Sequence, residues 1–523
     1  MIMDQSFNAN CLFQKFSMLF RSEQTFIYLY TTTILIILHS YIRYRTKRRQ
    51  LEKITSQFDG PKGLPFFGSV LQFTGSTKDA LQALLKVMTT YNSSFKMWVF
   101  HKPVIFLTDP EDFRIAAIEI LEKDSHHKFF EEIIGDTIFT AKGERWKKTR
   151  RIFSPALNPN ILLEYFLQIF NQQNVTLINE LKKEVGTGEH FEMLPYIRQT
   201  TLKTILESAM GYKVGDDTTE MIKFEDALSK TLQLLLLRCH KPWLMPSFMF
   251  KTYCYLMGYE NVFKTLRELP LKALKRQREL LHRLKSETNV STEQEKTMRN
   301  FISNLLNAHE EGNHFTDEDM VNEVINIIFA GYDAKSFTIC FCLLMLAIRQ
   351  DIQDKVYEEI RQVFGDSDRL PEAEDLNKLS YLEQCIRETL RKYPPIILIA
   401  RCSKHDIPIS NGKIIPAGCS VVLSIYGVHH NPEIYSNPEI WDPTNFSPEK
   451  IASRHKSSFV AFSSGPRDCI GYKYGMLSMK AQICLLIRNF RITTDFKMQD
   501  IELDVGPMLR SANGYPIKLE YRQ

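Results

Sequence analysis

The chain has 523 residues, 44% of them hydrophobic and 24% charged, with a formal net charge of +5. That length can bury a core without disulfides and has room for two or three ordinary domains. So mild a charge argues against nucleic-acid binding, which calls for a concentrated basic stripe.

From Thr25 to Ile42 the segment TFIYLYTTTILIILHSYI carries no charged residue, and RYRTKRR from Arg43 to Arg49 follows at once. The run approaches the roughly 20 apolar residues that span a bilayer. It lies too far into the chain for a cleaved signal peptide, and no small-residue cleavage pattern follows. Basic residues on its far side predict that the C-terminal bulk faces the cytosol. Residues 1–24 are then an N-terminal arm, 25–42 a transmembrane anchor and 43–69 a basic, proline-rich hinge. In that hinge Pro61 and Pro65 favour a stiff extended connector. His39 and three threonines weaken the span, which leaves insertion in the membrane interface as the alternative.

Residues 70–523 form the body. Past residue 80 the pattern is one of long amphipathic helices, with short strands predicted at FKMWVF, KPVIFLT, KIIPAGCSVVLS and YPIKLEY. No alternating strand–helix rhythm points to a parallel sheet, and no GxGxxG or Walker pattern is present to hold a nucleotide. The stretch from His282 to Asn300 reads as a solvated connection. The ten cysteines show no CxxC pair and no His/Cys zinc spacing, which suits reduced thiols in a reducing compartment.

Four stretches carry chemistry. In GERWKKTRRIFSPAL, Trp146 and Arg150 stand one helical turn apart, where an indole N–H and a guanidinium can clamp a carboxylate; a surface basic helix would read the same way. From Thr316 to Ile348 a capped helix is apolar on nearly all sides, so it should be buried. At its middle stand Gly331 and Asp333, a weak helix former beside a carboxylate that is costly to bury. A bound ligand with its water channel would compensate for both. In YLEQCIRETLRKYPP, Glu388 and Arg391 share a helix face and can pair. In FSSGPRDCIG, the lone Cys469 can be a core filler, a nucleophile or a metal ligand.

The last stretch matches Phe-x-x-Gly-x-Arg-x-Cys-x-Gly and resembles the haem-binding loop of the cytochrome P450 superfamily. The other three stretches follow that family's order and spacing, and the anchor and proline segment resemble its microsomal members. RRIFSPALNPN, YLEQCIRETLRKYPP and SSGPRDCIG are most similar to the animal clan that contains the fatty-acid ω-hydroxylases, in particular its divergent insect branches.

The resemblance implies a mainly α fold: a single helical haem-thiolate domain with a small β-rich lobe. It implies haem b, with Cys469 as the axial thiolate whose donation to iron favours O–O cleavage. Gly465 and Gly471 would let the backbone turn beneath the ring, and Phe462 would pack beside the sulfur. Trp146, Arg150, Arg401 and Arg467 correspond to partners of the haem propionates. Glu388 and Arg391 carry over as a structural ion pair. Asn445 stands where the family usually has a third charged partner, an arginine. On the central helix Gly331, Asp333 and Ala334 occupy the positions of the proton-delivery apparatus. Ala334 replaces the usual threonine, and Ser336 and Thr338 lie off its register. Ala330 replaces a glutamate that in the ω-hydroxylase group often forms an ester with haem, so the haem should extract freely.

Phe129, Phe139, Phe329, Ala330, Ile397, Leu398 and Met508 are expected to line an apolar pocket for a fatty acid, terpenoid, hormone or xenobiotic. The implied partners are a membrane-bound NADPH-cytochrome reductase and a cytochrome b-type donor at the endoplasmic reticulum, with Lys147, Lys148, Arg151 and Lys473 as a basic face. The leading function is a monooxygenase that inserts one atom of O2. The alternatives are a reductase-independent hydroperoxide isomerase or dehydratase of the same fold, or a haem protein that sequesters apolar ligands. The sequons at Asn92, Asn174 and Asn289 should stay bare on the cytosolic side.

Overall fold

The apolar run and the basic run that follows it form one continuous helix, α1 (Glu23–Ile54), in a computed structural model. The model describes residues 23–91, 93–125, 127–215, 218–286, 300–312, 315–506 and 508–522. Most of the N-terminal arm, Asn92, Asn289 and most of the predicted solvated connection lie outside the described residues.

No glycine or proline occurs between Glu23 and Asp59, and lysine and arginine are good helix formers, so nothing ends the helix at residue 43. The expected hinge therefore contracts to the segment after Ile54. Helix α1 is also fastened to the body. Arg48 donates to the carbonyls of Gly63 (3.4 Å) and Leu64 (3.2 Å) and lies 4.8 Å from the centre of the Trp98 ring. The Tyr44 ring stacks on Phe66 at 4.7 Å, and its hydroxyl accepts the Phe66 N–H at 2.9 Å.

The body is mainly α, with its small sheets gathered from distant parts of the chain. Strands β1 (Phe95–Val99), β2 (Lys102–Leu107), β3 (Leu398–Cys402) and β4 (Ser420–Ser424) form one sheet in the order β1-β2-β4-β3. The β2–β4 pair is parallel, with Val104 opposite Ser420. Local rhythm could not reveal that pairing, because its two strands are remote in sequence. An antiparallel hairpin, β5 (Leu503–Val505) and β6 (Leu509–Ser511), docks on the body where the Leu509 N–H donates to the Pro395 carbonyl at 2.9 Å.

Six further helices position the site: α2 (Gly143–Phe153), α3 (Leu194–Ser208), α4 (Thr219–His240), α5 (Asp317–Ile348), α6 (Ser380–Lys392) and α7 (Tyr472–Asn489). Helix α5 is the spine of the core. The Thr316 hydroxyl accepts the Asp319 N–H (3.1 Å), and the Asp319 carboxylate accepts the Thr316 N–H (2.9 Å), closing the predicted capping box. Helices α1 and α5 are both long and apolar enough to cross a membrane, but α5 is largely buried whereas the apolar stretch of α1 is wholly exposed. That contrast marks α5 as a core helix and leaves α1 as a candidate membrane anchor. Helix α6 stops at Lys392, before Pro394 and Pro395, as its sequence dictates. Asn174 is only 3% exposed, so folded chain offers no glycosylation acceptor there.

Candidate functional site

The loop before α7 turns sharply and presents one sulfur. Ser463 (φ 63°) and Gly465 (φ 73°) both take left-handed backbone. A Cβ on Gly465 would meet the Ala117 carbonyl oxygen at 2.6 Å, so this glycine is required on two grounds. The Cys469 N–H donates to the Phe462 carbonyl at 2.9 Å, folding the loop back on itself. The Phe462 ring meets Tyr472 edge-on at 4.6 Å. Gly471 differs from expectation: its φ is −86°, which any residue adopts, and a Cβ there would only touch the Cys469 Sγ at 3.8 Å. Its contribution is the backbone N–H that bonds the sulfur.

Cys469 is surrounded by protein, yet its side chain is exposed, so the surface that it lines is internal. Burial pushes the thiol up to about 11, while the Gly471 N–H works in the opposite direction. A sulfur set deep in the protein yet still accessible is arranged for a ligand that covers it and favours the thiolate.

Three buried cations supply the second half of the site. Lys123, Arg401 and Arg467 are 9%, 1% and 9% exposed, and among the described residues no carboxylate bonds to any of them. Lys123 and Arg401 are brought together by an antiparallel backbone bridge beside β3. Arg467 donates to the Ala141 carbonyl at 2.7 Å and stacks 4.2 Å from the centre of the Trp146 ring. The Nε and Nη1 atoms of both arginines lack partners, as does His127 Nδ1. Burial first, and the neighbouring cations second, lower Arg401 to about 9 and His127 to about 3, and hold Lys123 well below the usual lysine range. Burial likewise lowers Arg467 to about 10. Uncompensated buried charge is expensive, and a ligand bearing two carboxylates would relieve it. Haem, with an iron for the sulfur and two propionates for these cations, fits the set.

Of the residues expected beside the propionates, Arg401, Arg467 and Trp146 stand in this cluster. Arg150 does not bond within it. Its guanidinium donates to the Asp468 carbonyl (2.8 Å) and pairs with the Asp468 carboxylate. Lys123 and His127 were not legible in the sequence, since only the fold brings them beside Arg401.

Helix α5 is buried along nearly its whole length but is open at Ala330 and partly open at Phe329, Gly331 and Ala334. The two alanines lie one turn apart on one face, leaving room for a planar group. Gly331 points elsewhere. A Cβ on it would stand 2.7 Å from Ile205 Cδ1 on α3, so the missing side chain permits close helix packing. Asp333 is turned behind that face. Its carboxylate accepts from Arg198 of α3 at 2.8 Å, and Glu225 stands 3.7 Å from the same guanidinium. Burial raises the Asp333 carboxyl, and Arg198 opposes the rise. Asp333 lines a cavity of about 240 Å³ with Arg198, Phe337, Gln233, Asp504 and Arg510. The hydroxyls of Ser336 and Thr338 donate to the carbonyls of Tyr332 and Ala334, each at 2.8 Å, so neither is directed to the position of the missing threonine.

Glu388 and Arg391 form the predicted pair, both side chains fully buried. Arg391 Nε donates to Oε2 at 2.8 Å and Nη2 to Oε1 at 2.7 Å. Arg391 also reaches the carbonyls of His429 (3.0 Å), Pro438 (2.9 Å) and Ile440 (3.0 Å), which secures the segment leading to the cysteine loop. Asn445 donates to Glu388 at 3.2 Å, a hydrogen bond in place of a charged fork. A second guanidinium nevertheless arrives from Arg454, missed in the sequence, which donates to the Asn445 carbonyl and stacks 4.5 Å from the centre of the Tyr435 ring.

Among the expected pocket residues, Ile397 and Met508 approach through the Pro395–Leu509 bond, with Leu398 at the start of β3. Phe139 packs against Lys123 (4.7 Å) and His127 (5.6 Å). Phe129 lies under the buried guanidinium of Arg238 at 4.3 Å, which gives it a structural contact the sequence did not suggest.

A helical body, an accessible sulfur in a tight loop and buried cations lacking anions together define the haem-thiolate class. The cytochrome P450 family model matches residues 59–517. Similar proteins include cytochrome P450 4c21 of Blattella germanica, 30% identical over 91% of this chain and 94% of its own. Cytochrome P450 4g15 of Drosophila melanogaster is 28% identical over 92% of this chain and 95% of its own. Cytochrome P450 4V2 of Homo sapiens is 29% identical over 94% of each. The chain belongs to the cytochrome P450 family and is a monooxygenase of that family with non-covalently bound haem b. Ala330 offers no carboxyl with which to tether the haem.

Proposed function

We propose that the protein is a monooxygenase of the endoplasmic reticulum membrane, with its body in the cytosol and its electrons drawn from an NADPH-dependent reductase. A cytochrome b-type protein would serve as a second donor. The observation that carries the reading is Cys469, a thiol whose titration is dominated by burial yet whose surface is still accessible. In this reading Cys469 holds the iron, and Phe462, Gly465 and Gly471 shape its loop. Arg401, Arg467, Trp146 and Lys123 hold the propionates. Bound haem supplies dioxygen activation and the transfer of one oxygen atom to substrate.

The chain's own residues orient the substrate, exclude water and handle protons. Phe139, Phe329, Ala330, Ile397, Leu398 and Met508 would press an apolar substrate towards the open face of α5, and their composition suits a fatty acid, terpenoid, hormone or xenobiotic. Asp333 would hold a proton at its carboxyl, in contact with the cavity behind α5 and steadied by Arg198. With alanine at 334, no side-chain hydroxyl at that position passes the proton forward, so the reaction would lose a share of its electrons as peroxide. The same feature favours the second reading, a hydroperoxide isomerase or dehydratase that needs no reductase.

Residues 25–42 would be the membrane span. The exposed Phe66, Phe67, Trp243, Phe248 and Leu256 offer further apolar contact with the bilayer surface. The exposed Lys147, Lys148, Arg151 and Lys473 would meet an acidic donor.

Reconstitution with NADPH-cytochrome reductase in vesicles, preceded by a difference-spectrum screen of fatty acids, terpenoids and insecticide-like molecules, tests the proposal. Expected are a thiolate-type carbon-monoxide complex on reduction and NADPH-dependent substrate oxidation. Reduction without turnover would replace it with the ligand-sequestering reading, and turnover of a hydroperoxide alone would replace it with the isomerase reading.

A further inference from the structure

Lys335 lies on α5 with 6% exposure, and among the described residues no carboxylate pairs with it. Its amine donates to the Ser478 hydroxyl at 2.8 Å and stands 6.0 Å from the centre of the Phe170 ring. Ser478 belongs to α7, the helix that begins directly after the cysteine loop. Among the described residues this is the only hydrogen bond between α5 and α7. It therefore ties together two walls: the open face of α5 at Ala330 and Ala334, and the helix that supports Cys469. The surroundings supply no counter-charge. On α7, Tyr474 bonds Ser208 of α3 at 2.8 Å, and Lys480 pairs with Glu383 of α6 at 2.8 Å. On α3, Arg198 is held by Asp333, Glu207 accepts from Gln173 at 2.8 Å, and Lys203 is partly exposed. The helix Leu167–Leu181 presents Phe170, and its one acid, Glu180, lies near its far end. Burial alone lowers the Lys335 amine, to about 7, and burial raises Tyr474, which stays neutral. An ammonium carries three donors. Only one of them finds an acceptor here, so a charge at this point is costly.

We propose that Lys335 is a positioning residue whose uncharged amine joins the two walls of the haem site, and that protonating it loosens α7 from α5 and speeds haem release. The inference rests on Cys469 being the haem ligand. The folded amine titrates below the ordinary lysine value of 10.5, so between about 7 and 10.5 the unfolded chain binds a proton that the folded chain does not. Stability therefore falls as pH drops through that window. Near its lower end the folded protein takes up the proton as well, and the tie between the helices weakens.

The test uses haem-loaded, full-length parent, Lys335→Met and Ser478→Ala, with haem transfer to excess apomyoglobin and chemical denaturation each followed from about pH 6 to about pH 9. The ratio of the parent's release rate to that of Lys335→Met should rise by about three- to tenfold towards the acid end. In denaturation, the parent's folding equilibrium should gain up to about tenfold per pH unit on Lys335→Met above neutrality. Ser478→Ala removes the amine's one acceptor and should steepen the acid rise in release, which decides the matter if Lys335→Met fails to hold haem. A rate ratio independent of pH, or a Ser478→Ala profile parallel to the parent's, would overturn the proposal. Failure of the underlying reading is separately visible, because the parent would then lack a thiolate-type carbon-monoxide spectrum.

Discussion

Arg198 reaches across from α3 to Asp333 on α5 and bonds its carboxylate at 2.8 Å, behind the face that carries Ala330 and Ala334. The acid expected to serve catalysis is thus also a tie between two core helices. Arg198→Met would leave a carboxylate with 4% side-chain exposure unpaired. The adjoining cavity gives that charge some access to water, so the loss of stability should be about 3 kcal/mol, at the lower end for a buried pair. Adding Asp333→Asn should recover most of it, as measured by chemical denaturation of the single and double variants.

Ala334 is the position where a hydroxyl is missing, and Ser336 and Thr338 are held by backbone carbonyls. Ala334→Thr should lower peroxide release per NADPH and raise product yield, each by roughly twofold or more. Stoichiometry of NADPH, peroxide and product checks this, and two unchanged ratios would refute the proton-delivery account.

Glu323 on α5 is fully buried and accepts the Ile138 N–H at 2.9 and 3.1 Å. Burial is the main cause that raises its carboxyl from 4.5 to about 8; the Ile138 N–H and Arg145 oppose the rise, and Asp136 and Asp319 add to it. Because the folded value lies above the unfolded one, its stabilising contribution is whole below about pH 4.5 and is lost as pH climbs to about 8. Within that window the parent should lose about 1.4 kcal/mol per pH unit relative to Glu323→Gln. Parallel pH–stability curves for the two proteins would contradict this.

Gly331→Ala would put a methyl group 2.7 Å from Ile205 Cδ1. Overpacking of this kind costs about 1–3 kcal/mol, against about 1 kcal/mol gained in helix propensity. A net loss of about 1 kcal/mol is expected, relieved when Ile205→Val shortens the opposing side chain. Thermal unfolding midpoints of the two single variants and the double variant measure it; an undiminished loss in the valine background would show that the contact is not the cause.

Much of this architecture was legible in local sequence. The Thr316 cap, the proline stop of α6, the buried character of α5 and the turn around Gly465 follow from side-chain chemistry over a few residues, and so did the motif that marks Cys469. The Glu388–Arg391 pair needed only helical spacing. The continuation of α1 past Arg43 was not legible, because a change of composition there is not a change of conformation. The packing contact of Gly331 was not legible, because its neighbour in space, Ile205, is remote in sequence.

Sequence alone determined which residue types were available at the site: a single thiol in a tight loop, several arginines, an acid in an apolar helix and no threonine beside it. Tertiary structure decided which of them meet. It set Lys123 against Arg401 through a backbone bridge, took Arg150 away to Asp468, and turned Asp333 towards Arg198. Local patterns are fixed by backbone geometry and short-range hydrogen bonds. The partner of a buried charge is fixed by which distant segments exclude water together, and that becomes known only once the chain is folded.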